Sequence, residues 1–209
     1  MKKYILAVLL CCVSVLPATA EMRFGVKLEP RMAFNRVYAK PYDSELKAEP
    51  AVLRLGVGPV CDWLIQENCY ISSGVQLSSQ PVAYKSGQEL QNTLGVDYLS
   101  FPILLKLYTS EVSLDTRIYT ELGAGLQLKI SERIHKLEIP GTIGDDMARR
   151  WVLRATVGVG VEYDLSLSTS LFGGITYHRG LTNAMNSKVT TPPVCAYNDT
   201  VGLSVGFRF

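Results

Sequence analysis

Past its N-terminus, this sequence has no apolar run of the ~20 residues that a helix needs to cross a bilayer. Its mean hydropathy is nonetheless positive, at +0.14. It also lacks an excess of charge of one sign. Lys and Arg number 21 against 19 Asp and Glu, for a formal net charge of +2. That near-neutrality excludes the global basic field of a nucleic-acid-binding chain. Charged residues make up only 19% of the 209 residues and hydrophobic ones 47%. Such a balance excludes intrinsic disorder and suits one domain with a sizeable apolar face to bury. Histidine is scarce: His135 and His178 are the only two. Neither has a second ligand at metal-binding spacing, and no Ser/His/Asp or Cys/His arrangement stands out. Gly56-x-Gly58 and Gly158-x-Gly160 lie inside strand-like sequence and lead into no helix, so they are not phosphate loops. Asp145-Asp146 reads as a solvated loop turn rather than a cation site. No cofactor, metal site or catalytic residue is expected.

The N-terminus points to export. Lys2 and Lys3 form a basic start, Tyr4 to Leu16 an apolar stretch of 13 residues, and Ala18-Thr19-Ala20 a small-residue cleavage site. Residues 1–20 therefore read as a secretory signal peptide, with the mature domain at 21–209. Cys11 and Cys12 follow Leu10 and Cys11, not the small residue that lipidation requires. Removing residues 1–20 takes away two lysines and no acids, which leaves a formally neutral chain with Cys61, Cys69 and Cys195.

The mature chain alternates with a period of two, the pattern of strands with two unlike faces. Along 117–130, Ile118, Leu122, Leu126, Leu128 and Ile130 share one face, and Arg117, Glu121, Gly123, Gly125 and Lys129 the other. Trp151 to Asp164 and Val201 to Phe209 behave alike. The whole chain yields eight strands at about 22–33, 51–63, 69–80, 95–108, 116–130, 151–164, 168–179 and 198–209. Pro102 interrupts the fourth, where a bulge is the expected accommodation. Connections after odd strands are long (34–50, 81–94, 131–150 and 180–197), and those after even strands are short (64–68, 109–115 and 165–167). The fold class expected is all-β, an eight-stranded antiparallel up-and-down transmembrane barrel with a polar, filled interior.

A soluble barrel with an apolar cavity would alternate as well, so the content of the faces decides. Glycines gather on the polar face beside long charged side chains. A narrow lumen needs that room, whereas a solvated surface does not. Arg54, Lys106, Arg117, Glu121, Arg154, Glu162 and Arg208 are expected to form an ion-pair network there, because a buried charge must find a partner. Glu121 and Glu162 could in principle share acid–base work, but the cations on the same face favour structural pairing. The apolar face ends in aromatics: Trp63, Trp151, Tyr163, Tyr177, Phe207 and Phe209 resemble the interfacial girdles of membrane barrels. Cys61 and Cys69 flank a short turn with the same parity. They are expected either to form a disulfide or to remain two reduced, small apolar residues.

Tyr98-Leu99-Ser100-Phe101-Pro102-Ile103-Leu104-Leu105-Lys106, Tyr177-His178-Arg179-Gly180-Leu181-Thr182-Asn183, and the pairs Gly123/Gly125 and Gly158/Gly160 occur in that order. Together they resemble the small outer-membrane β-barrel family that includes the PorT-like proteins of type IX secretion bacteria. The aromatic end at Phe209 resembles the signal that such barrels present to their assembly machinery. The resemblance implies a barrel in the outer membrane of a Gram-negative, Bacteroidota-type bacterium without fixing its function, and the lack of a catalytic arrangement makes it non-enzymatic. Its partners would be outer-membrane lipid and a secretion or surface protein, with no nucleic acid. The family also contains small porin-like proteins, and lipid-modifying barrels exist, so a narrow channel and a membrane enzyme stand as alternatives. Eight strands enclose a space that side chains can fill, which places function in the long loops. Those loops carry Arg36, Tyr38, Lys40 and Asp43 in the first and Glu132, Arg133, Asp145, Arg149 and Arg150 in the third.

Overall fold

A computed structural model describes residues 22–39, 46–48, 52–86, 90–137, 147–186 and 194–209. The expected signal peptide, Asp145-Asp146 and parts of all four long connections lie outside these residues. The described chain contains strands and no helix. They are β1 (Met22–Ala39), β2 (Leu46–Ala48), β3 (Val52–Gln66), β4 (Cys69–Gly74), β5 (Gln76–Ser86), β6 (Leu90–Tyr108), β7 (Thr116–Leu137), β8 (Trp151–Asp164), β9 (Ser170–Gly180) and β10 (Val194–Arg208).

β4 and β5 are one strand interrupted at Val75, and β2 is a short piece of the first long connection paired with β5. The remaining order runs β1-β10-β9-β8-β7-β6-β4/β5-β3 and returns to β1. Met22 opposite Trp63 through Ala33 opposite Val52 closes the ring. The result is a closed, eight-stranded antiparallel barrel. Closure matters physically, because an open sheet edge in a bilayer would leave backbone groups unsatisfied. The last residue takes part: the Phe209 amide donates to the Phe24 carbonyl at 2.8 Å, and Phe24 returns the bond at 3.2 Å.

Several strands run further than the alternation alone suggests. β1 continues to Ala39, β6 begins at Leu90, β7 reaches Leu137 and β10 begins at Val194. Their hairpins extend past the apolar band, so His135 lies on the backbone of β7 rather than in a loop. The bulge expected at Pro102 is absent. Pro102 pairs in register with Gly125, and Ser73 opposite Ile103 and Gln76 opposite Ser100 keep one register on the other side. The partner strand gives way instead, at Gly74 and Val75, where proline has no N–H to offer. The Ser73 hydroxyl donates to the Pro102 carbonyl at 2.9 Å. Register shifts fall elsewhere, at Leu64/Gln66, Thr93/Leu94 and Asp97/Tyr98.

The two faces separate by burial. Leu53, Ile103, Leu122, Val159, Ile175 and Leu203 point outward and are each more than half exposed. Their neighbours Lys106, Glu121, Arg154, Glu162 and Ser204 are 5% exposed or less. An apolar outside around a charged inside is the inverse of a soluble barrel. Trp63, Tyr163, Phe207 and Phe209 lie on the outer wall toward the short-turn end, and Trp151 and Tyr177 toward the long-loop end. The Tyr177 hydroxyl reaches Asp199 at 3.3 Å. Asp199 in turn accepts two bonds from Arg36, at 2.7 and 3.0 Å, on the same outer wall.

Candidate functional site: the filled interior of the barrel

The inward residues form stacked layers, because every second residue of each strand contributes one side chain to the lumen. Nearest the short turns, the Asp62 carboxylate forms ion pairs, 2.8 Å from Arg208 Nε and 3.8 Å from Lys106 Nζ. Arg208 also pairs with Glu162, which accepts from Ser170 at 2.7 Å and from the Tyr108 hydroxyl. The Lys106 ammonium sits 3.9 Å from the ring centre of Tyr119 and 5.2 Å from that of Phe172. Tyr70, Tyr108, Tyr119 and Phe172 thus pack an aromatic collar around one lysine, a cation–π arrangement in a desolvated place. The collar, together with close backbone carbonyls, accounts for two glycines. A Cβ on Gly160 would overlap the Tyr119 ring, and one on Gly206 would overlap Phe172.

The middle layer is organised by Glu29, which is 1% exposed. Its Oε1 accepts from Thr176 Oγ1 at 2.6 Å and from His178 Nε2 at 2.6 Å. Its Oε2 accepts from Arg31 at 2.8 Å and lies 3.5 Å from Lys27 Nζ. Lys27 also donates to Glu121 at 3.3 Å. β1 and β7 stand four places apart in the eight-strand ring, so this bond spans the lumen's diameter. On the far side of His178, Nδ1 meets Thr156 Oγ1 at 2.8 Å. The carboxylate–imidazole–hydroxyl sequence has the connectivity of a hydrolytic relay. A nucleophile also needs space for a substrate, and Thr156 is 2% exposed and His178 3%. A separate void of about 20 Å³, room for a single water, lies between Lys27, Gln76, Glu121 and the collar and touches neither Thr156 nor His178.

Toward the long loops the lining turns neutral. Gln127 donates to Ser100 at 3.0 Å, and Asn198 donates to Gln80 across the lumen at 3.0 Å. Above them the mouth holds an apolar cluster of Val96, Tyr98, Met147, Ala148, Val152, Ala184, Met185 and Ala196. The end of the third long connection and the start of the fourth fold into the mouth to build it. Ala148 bridges Met185, and Asn186 N donates to the Met147 carbonyl at 2.7 Å. Glu132 accepts from the Met147 and Ala148 amides at 3.0 and 3.3 Å, and Lys129 donates to the Ala148 carbonyl at 2.9 Å. The opposite mouth is open, with a cavity of about 630 Å³ whose lining includes Arg23, Arg117, Asp164 and Arg208.

The seven residues expected as one network do not form one. Glu162 and Arg208 pair together, Lys106 joins them through Asp62, and Glu121 belongs to the middle layer through Lys27. Arg117 bonds Asp164 at 2.8 Å at the open mouth, apart from the rest. Arg154 has Gln76 Oε1 at 3.4 Å, and among the described residues Arg54 makes no ion pair. Glu121 and Glu162 are neutralised by different cations and do not act together. The members left out of that set are Lys27, Glu29, Arg31 and Asp62. Parity marks all four as inward, but which cation meets which acid depends on distances across the barrel.

The disulfide alternative is excluded. Cys61 stands opposite Ser73 and Cys69 opposite Gln66, five residues further along β3. At about 3.3 Å per residue that is roughly 16 Å, beyond the ~7 Å a disulfide tolerates between Cα atoms. Cys61, Cys69 and Cys195 are free thiols. Among the described residues, no group of three or more His, Cys, Asp or Glu could hold a metal ion.

The model of the family described as outer membrane protein beta-barrel domain matches residues 20–186. The chain belongs to that family. Membership places this barrel in a Gram-negative outer membrane and accounts for the apolar exterior. No curated protein matches the chain in sequence. Among solved structures it is similar to the outer membrane protein OprG from Pseudomonas aeruginosa. The two are 12% identical over 91% of this chain and 97% of that one, with a TM-score of 0.59. It is also similar to Neisserial surface protein A, 14% identical over 88% and 95% of the two chains, with a TM-score of 0.50. At such identities the likeness is one of fold.

Proposed function

We propose that this family member is a closed, non-enzymatic scaffold of the outer membrane. In this reading residues 1–20 are removed on export, Phe209 is presented to the assembly machinery, and the long loops face the cell exterior. There they meet a partner protein of a secretion or surface assembly, the role implied by the PorT-like resemblance in a Bacteroidota-type cell. The observation that carries the reading is the Lys27–Glu121 bond across the barrel's diameter, between an aromatic collar below and an apolar cluster above. An interior bonded wall to wall suits a plug better than a path for solutes. The charged, exposed positions Arg133, Arg149 and Arg150 at the long-loop end suit contact with a protein surface.

Two measurements test the proposal. Purified barrel in planar bilayers is expected to show no stable conductance; a steady, substantial single-channel conductance would instead establish a narrow porin. Affinity purification from intact outer membranes of the native host is expected to recover a defined partner in stoichiometric amount. Recovery of the barrel alone, together with a solute-uptake defect and normal secretion in a deletion strain, would reject the scaffold role.

A further inference from the structure

The interior charges find partners within their own layers except in one place. Near the short turns, Lys106 and Arg208 face Asp62 and Glu162; in the middle, Lys27 and Arg31 face Glu121 and Glu29. Among the described residues no carboxylate lies within ion-pair distance of Arg154 or Arg54, and Glu29 and Glu121, the acids whose charges act on Arg154, are already paired with Arg31 and Lys27. Arg154 is 2% exposed, and its sole polar contact there is the neutral Gln76 Oε1 at 3.4 Å. Arg31 donates to that same oxygen at 2.9 Å, so the two guanidinium groups converge on one point. Arg54 lies directly opposite Arg31 in the β1–β3 register, on the same inward face. Like charges directly opposite on a sheet repel, and a buried cation without a counter-charge is costly. Unfilled donors remain on all three arginines. Arg31 Nε and Nη1, Arg154 Nε and Nη1, and Arg54 Nε are buried without a hydrogen-bond partner.

We propose that Arg31, Arg54 and Arg154 form an internal binding site for one small oxyanion of the phosphate class. Planar guanidinium groups present pairs of N–H donors that match the oxygens of such an anion. The free donors belong to β1, β3 and β8, so one tetrahedral anion bonds across the lumen where no carboxylate does. Gly56 and Gly202 support the arrangement. A Cβ on either would press on Arg31, at 2.9 Å from its Cζ and 3.0 Å from its Cγ respectively, and displace the guanidinium from its place.

The test uses the whole mature chain, refolded into phosphate-free maltoside micelles. Refolding is done in chloride alone, or with part of the chloride replaced by inorganic phosphate at equal ionic strength. Phosphate is expected to raise the thermal midpoint of the unfolding gel shift by several degrees and to be retained near one per chain in equilibrium dialysis. Both effects should vanish in Arg54→Gln and Arg154→Gln and persist in Arg117→Gln, which lies at the open mouth. Equal midpoints in both buffers, or retention undiminished in Arg54→Gln, would overturn the site. If Arg154→Gln does not fold, the half-buried Arg54→Gln decides alone. A further arm replaces phosphate by phosphatidylglycerol in the micelles. No protection is expected, since the site faces a closed lumen, and protection by the lipid alone would reassign the arginines to a headgroup.

Discussion

Glu29 is the most demanding position in the interior, and Glu29→Gln measures what it does. The carboxylate accepts from Thr176, His178 and Arg31 at 2.6 to 2.8 Å and sits 3.5 Å from Lys27. Glutamine keeps the shape and one acceptor oxygen, so Thr176 or His178 can still be satisfied. It removes the charge. The layer is then left with Lys27, Arg31 and Arg154, all nearly inaccessible, against Glu121 alone. Removing one partner of a buried ion pair costs about 3–5 kcal/mol, roughly a hundredfold to several thousandfold in the unfolding equilibrium. Urea unfolding of the refolded barrel, followed by tryptophan fluorescence and by gel mobility, reads this as a lower midpoint at unchanged slope. The double variant Glu29→Gln/Arg31→Gln removes one surplus cation. It should recover part of the loss, with a coupling of about 1–3 kcal/mol for groups in direct contact. A Glu29→Gln protein within about 1 kcal/mol of wild type would refute the reasoning, since the cations would then be compensated by something other than this carboxylate.

Other expectations concern packing, lipid and thiols. Gly160→Val should destabilise by about 1–3 kcal/mol through overpacking against Tyr119, and Tyr119→Ala in the same chain should relieve part of it in the same urea assay. Leu122, 63% exposed on the outer wall between Leu105 and Val157, should cost about 2–4 kcal/mol when changed to Arg if it faces the bilayer midplane. A neutral effect in vesicles would place it outside the hydrocarbon. Thiol titration of the denatured, unreduced mature protein should find three reactive cysteines and no mobility change on reduction; a single reactive thiol would restore a disulfide.

The strand pattern was legible because one-sided burial leaves a local trace. Alternation at 151–164 marks the observed limits of β8, and the inward assignment of Lys106, Glu121, Arg154, Glu162 and Arg208 follows from parity alone. The glycines on that face were readable for the same reason, and several of them sit against long side chains from neighbouring strands. Strand ends were less legible. Where β1, β6 and β7 rise past the apolar band, backbone pairing continues but the lipid no longer imposes an apolar face. His178 was readable as an inward residue, but not as the neighbour of Glu29, 149 positions away.

The sequence by itself determined the fold class and the inside-out distribution of charge, because a period of two assigns each side chain to one face whatever its neighbours are. Only the tertiary structure decided who meets whom. Register separates Cys61 from Cys69 and sets Arg31 against Arg54. Closure brings Lys27 to Glu121 across the diameter, and two loops turn inward to seat Met147 and Met185 in the mouth. These are contacts between residues far apart in the chain. Their energies depend on distances of a few ångströms that ring size and stagger set and that local patterning does not encode.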